Sequence, residues 1–115
     1  MYRPFLAVAG LLGAVGVAAA AAASHGGDTN LAIAGNFLLF HAPALIGLGL
    51  VPRARLVTIA GYVLLVGLAL FCGDLAMRSV AGHALFPMAA PIGGGGLILG
   101  WLLMAAAALA RRTQE

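Results

Sequence analysis

The sequence predicts an all-α protein: a four-helix transmembrane bundle with its N and C termini both cytoplasmic. Three observations carry this reading. The hydrophobic share is 63% and the charged share 8%, against about 45–50% and 25% in soluble domains. Mean hydropathy is +1.11, which leaves no polar face for water. A span needs about 20 apolar residues, so 115 residues hold four spans and little else. Residues 1–115 therefore read as a single integral membrane domain.

The first span is expected over residues 5–23. Arg3, an apolar core and the alanines before Ser24 also fit a secretory signal. The run is long enough to cross a bilayer, however, and we read it as an uncleaved helix. Gly13, Gly16, Ala20 and Ala23 recur at helical spacing and form a smooth stripe for close packing. The polar turn from Ser24 to Asn30 leads to a second span over residues 31–51, which contains Asn36, His41 and Pro43. Pro52 to Arg55 is a tight connection. The third span is expected over residues 56–77, followed by a mildly polar connection from Arg78 to Ala90 that rests in the interface. The fourth covers residues 91–110, started by Pro91 at the outer surface and ended by Arg111 and Arg112.

That fourth span carries four consecutive glycines. In a soluble helix each costs roughly 1 kcal/mol against alanine; in a bilayer they let a neighbouring backbone lie close. We expect the other helices to pack around it through Gly93, Gly94, Gly96 and Gly100. Gly96 and Gly100 stand in Gly-x-x-x-Gly spacing, towards the first helix or a partner, with Leu103 facing lipid. A phosphate-loop reading fails because no Lys-Ser/Thr follows.

Four spans put both termini and the second connection on one side. That side holds Arg3, Arg53, Arg55, Arg111 and Arg112, and the other holds Arg78 alone. The bias places the termini in the cytoplasm. The six basic residues are all arginine and are scattered, which argues against nucleic-acid binding. The lack of lysine beside abundant Ala, Gly and Arg points to a GC-rich bacterial source. The single Cys72 forms no internal disulfide.

His41 and Trp101 lie at similar depth near the bilayer midplane, so the indole N–H is placed to donate to the imidazole. An intramembrane ionisable residue is a functional candidate; the plainer reading is a neutral histidine pinning two helices. One histidine is poor support for haem. On the outer side stand His25, Asp28, Asp74, His83 and the sulfurs of Cys72, Met77 and Met88. No ligand spacing supports a metal, so none is expected, with His25, His83 and Asp74 as weak candidates. Asp74 and Arg78 are an acid-first i, i+4 pair, and Asp74 has two other readings: facing the amino end of the fourth helix, or relaying protons.

At residue level the chain resembles the YgdD-like small membrane proteins, the domain of unknown function 423 family. Ser24-His25-Gly26 matches the family's Gly-Ala-His-Gly, and His41-Ala42 its second-helix His-Ala. Phe71-Cys72-Gly73-Asp74 loosely matches Phe-Ser-Gly-Ser, and Pro91-Ile92-Gly93-Gly94 with Gly100-Trp101 matches the last element, the most specific one. Departures are Cys72 and Asp74 in place of serines, and a shortened first connection. The resemblance implies four helices in a bacterial inner membrane or mitochondrial membrane, and no known activity.

Together these features predict a non-catalytic multi-pass inner-membrane protein without a cofactor. It contacts membrane lipid and docks as an accessory subunit onto other membrane proteins or onto itself. The alternative is a small oligomeric transporter or channel for an ion or metal, using His41 and the outer cluster. A lipid- or quinone-directed enzyme has no residue to nominate.

Overall fold

Each helix begins and ends where the local chemistry stops it. The computed structural model describes residues 1–114, with side chains through Ala110. Its elements are α1 (Arg3–Gly26), α2 (Thr29–Leu50), α3 (Arg55–Ala81) and α4 (Ala89–Gln114), with no strand among the described residues. Pro4 sits in the first turn of α1, where its missing N–H costs nothing. Gly27, at φ 69°, closes α1 by donating its N–H to the Ala23 carbonyl. Asp28 then caps α2 through a bond from the Leu31 N–H, and Gly82, at φ 79°, closes α3 on the Arg78 carbonyl. All four helices are long and apolar enough to cross a membrane.

The boundaries differ from expectation at the outer end. Ser24 and His25 belong to the last turn of α1, so the first connection shrinks to residues 27–28. α3 runs past Met77 to Ala81, so Arg78 is helical and only residues 82–88 connect α3 to α4. α4 starts at Ala89, which makes Pro91 its third residue instead of its first. Polar residues were read as helix ends, but the backbone continues until a glycine can take the left-handed conformation.

α4 is not the element that the others surround. Each helix packs on its neighbour in the chain, α1 on α2, α2 on α3 and α3 on α4. About 39% of the most apolar stretch is buried in α2 and in α3, against 17% in α1 and 22% in α4, so the middle pair forms the centre of a flattened bundle. The α1 stripe does pack as expected. A Cβ at Gly35 would stand 2.9 Å from the Ala20 backbone nitrogen, and one at Gly16 would stand 3.0 Å from Leu39.

The glycine run divides between two faces. A Cβ on Gly93 would meet the Phe71 nitrogen at 2.5 Å and the Gly67 carbonyl at 2.8 Å; one on Gly100 would meet Leu64 at 2.6 Å; one on Gly96 would meet the Gly67 Cα at 3.2 Å. These three therefore admit α3, not α1. Gly94 has only ordinary contact with Phe71 at 3.9 Å, and nothing lies within 4 Å of Gly95. Leu103, expected to face lipid, is half-buried, while its neighbour Leu102 is exposed.

The end carrying Arg3, Arg53 and Arg55 is fastened by aromatics. The Tyr2 N–H donates to the Gly49 carbonyl at 2.7 Å, and the Tyr2 and Tyr62 hydroxyls share a 2.6 Å hydrogen bond. The buried Phe5 ring packs edge-on against both tyrosines and directly onto Gly61. The side chains of Arg111 and Arg112 lie outside the described residues.

Candidate functional site

His41 and Trp101 meet as their positions predict. Each lies twelve residues into its helix, Thr29 to His41 and Ala89 to Trp101, or about 18 Å along the axis. Trp101 Nε1–H donates to His41 Nε2 at 3.1 Å. On the other side of the ring, His41 Nδ1 is 2.7 Å from the Phe37 carbonyl oxygen, which only a protonated Nδ1 can satisfy. The neutral imidazole with its hydrogen on Nδ1 makes both bonds and has no valence left over.

The imidazole forms part of the wall of a groove of about 680 Å³ between α2, α3 and α4. Phe37, Phe71 and Ile98 supply its sides, and Gly94 and Gly95 keep its floor at backbone level. His41 itself is buried and Trp101 is 43% exposed along the rim. A polar cavity with several partners would hold water; this one is lined by hydrocarbon and faces sideways out of the bundle.

The residues proposed for an outer cluster are tied up separately. Asp74 is fully buried, accepting from Arg78 Nε at 2.8 Å and from the Leu85 N–H at 2.9 Å. Its second bond thus goes to the connection and not to the amino end of α4. His25 Nδ1 donates to the Ala21 carbonyl at 2.8 Å, and His83 Nδ1 to the Ala84 carbonyl at 2.9 Å. Among the described residues, no three His, Cys, Asp or Glu side chains converge to hold a metal. Cys72 is buried, with its thiol 3.6 Å from the Ala34 carbonyl.

Sequence reasoning missed the residue that latches this end. Ser79 donates its hydroxyl to Asp28 Oδ2, while Asp28 Oδ1 caps α2 through the Leu31 N–H at 3.1 Å. The Ser79 hydroxyl first, and then the Leu31 N–H, hold the Asp28 carboxyl below the usual carboxylate range. Only contact between α3 and the first turn reveals Ser79, and no spacing in the chain encodes it.

Asn36 is the second residue left without a role. It is exposed on α2, seven residues or about 10 Å from the helix start, and so within the hydrocarbon layer. Among the described residues its carboxamide has no hydrogen-bond partner. It borders a shallow depression of about 370 Å³ between α1 and α2, walled by Ala20, Ala23, Ala32 and Ile33 and, towards the turn between the helices, by Ser24, Asp28 and Thr29. A single amide in a span whose one other polar side chain is His41 was the available signal.

The sequence matches a family described as protein of unknown function (DUF423) over residues 9–94. The chain belongs to that family. The DUF423 match takes in α1 from Ala9, all of α2 and α3, and the first six residues of α4 through Gly94. It therefore contains Asn36, His41 and Asp74 and stops before Trp101. No solved structure matches this DUF423 chain. The family's description assigns no activity.

Proposed function

We propose that this protein is a non-catalytic accessory subunit, docking onto a larger membrane complex through the α1–α2 face around Asn36. The observation that carries the reading is the exposed Asn36 carboxamide, about 10 Å into a helix long and apolar enough to cross a membrane. Transferring an amide to an apolar medium without a compensating hydrogen bond costs about 1–3 kcal/mol in proteins. Polar groups in spans ordinarily turn inward or bond across a helix interface. Ala20 and Ala32 beside Asn36, both half-buried, supply the small side chains such interfaces favour. The occupant is a transmembrane helix of another protein, with a hydrogen-bonding side chain at the depth of Asn36.

The arginine distribution supports termini in the cytoplasm, and the Ala-, Gly- and Arg-rich composition without lysine supports a bacterial inner membrane. Transport gains no comparable support from the groove at His41, because its walls are apolar and both imidazole nitrogens are engaged. Purification of the full chain in mild detergent tests the docking reading. It predicts one other membrane protein retained at fixed stoichiometry. Recovery of the chain alone would remove the reading, and a homo-oligomer would make the occupant a second copy.

A further inference from the structure

A second groove lies between α3 and α4, on another surface from the one that contains His41. It is about 450 Å³ and runs from Thr58 past Tyr62 and Val66 to Leu70, with Ile92 and Gly96 contributed by α4. Those α3 residues are four apart and form one stripe about 18 Å long. Apart from Thr58 and the Tyr62 hydroxyl its lining is apolar along that whole length, which suits a hydrocarbon chain.

At its Thr58 end the groove meets a second pocket of about 400 Å³, which shares Thr58 and Ile59 and adds Arg53 and Arg55. Both arginines are exposed. The two described carboxylates, Asp28 and Asp74, are engaged at the opposite end of the bundle, and no described acid pairs with either guanidinium. The Arg53 guanidinium carbon lies 4.5 Å from the centre of the Tyr2 ring, which positions the charge without neutralising it. Arg55 is also the first residue of α3, where free backbone N–H groups favour an anion. No acidic residue occupies that first turn.

We propose that the groove and the arginine pocket form one site for an anionic phospholipid. An acyl chain lies along Thr58 to Leu70, and the phosphate rests between Arg53 and Arg55. Charge complementarity selects the headgroup, while the apolar groove, continuous with the pocket, selects a lipid over a free phosphate. This site is separate from the Asn36 face and stands without it.

Native mass spectrometry of the full-length protein, with phosphatidylglycerol or phosphatidylcholine of identical chains, tests the proposal. Two arginines near a headgroup predict about 30-fold tighter binding of phosphatidylglycerol. That preference should vanish in the R53Q/R55Q double variant and persist in R3Q, which removes an arginine from the same end but outside the site. Val66→Trp should weaken both lipids by filling the groove, and sn-glycerol 3-phosphate should not displace phosphatidylglycerol. Equal affinity for the two lipids, or an equal loss in R3Q, would overturn the site. Displacement by glycerol phosphate would likewise overturn it in favour of a simple anion pocket. If Val66→Trp disturbs the helical circular dichroism, the arginine variants decide alone.

Discussion

The Trp101 indole donates to His41 Nε2 at 3.1 Å, tying α4 to α2 although the two helices are not neighbours in the chain. The contact uses the second nitrogen of a ring whose first is already bonded to its own helix. It is thus a cross-brace over the groove that separates them.

Replacing Trp101 by phenylalanine keeps an aromatic ring on the rim and removes the donor. Stability in detergent should fall by roughly 0.6 kcal/mol and at most about 1.7 kcal/mol, the mean and maximum for hydrogen bonds between membrane helices. His41→Phe should cost a similar amount, and the double variant less than the sum of the two. Strict additivity in unfolding titrations would show that the bond contributes nothing.

The glycines of α4 should separate by face. Gly93→Leu or Gly67→Leu drives a side chain into backbone atoms, where no neighbour can rotate away, and overpacking of this kind costs about 1–3 kcal/mol or more. Gly95→Ala, with nothing within 4 Å, should change stability by less than about 0.5 kcal/mol. Thermal unfolding of the three purified variants reads the contrast directly.

The spans themselves were legible because apolar runs of bilayer length admit few other structures. The depth match of His41 and Trp101 was legible because helical rise fixes position along the axis. Which helix receives α4 was not. Gly67 is one small residue among many in α3, and only its place opposite Gly93 gives it meaning. The same holds for Ser79 and for the Tyr2–Phe5–Tyr62 cluster, whose members lie up to 60 residues apart. Periodicity describes a helix face, but it does not name the face opposite.

Asp28 makes stability depend on acid. Its folded pKa lies below the ordinary value, so its contribution is fully present above the unfolded pKa of about 3.9. That contribution is lost as pH falls through the lower folded value. Wild type should therefore exceed Asp28→Asn in melting temperature at pH 7, and the gap should close below about pH 4. A gap that stays constant across that range would show that the carboxylate charge plays no part in the latch.

Met88 precedes α4 at φ 71°, the one non-glycine residue with positive φ among those described, and its side chain is 63% exposed. A left-handed conformation costs an ordinary residue about 1–2 kcal/mol. Met88→Gly relieves this while losing little packing, so it should raise stability by up to about 1 kcal/mol. A lower melting temperature would mean that the methionine side chain matters more than the backbone.

The most direct test of the docking account is Asn36→Leu, compared with wild type for both stability and partner retention. Asn36 makes no described contact that its loss would break, so the isolated chain should melt at the same temperature or higher. Its partner membrane protein should be held roughly 3- to 17-fold more weakly, as expected for losing one interhelical hydrogen bond. Undiminished retention by Asn36→Leu, measured at matched concentrations, would contradict the account.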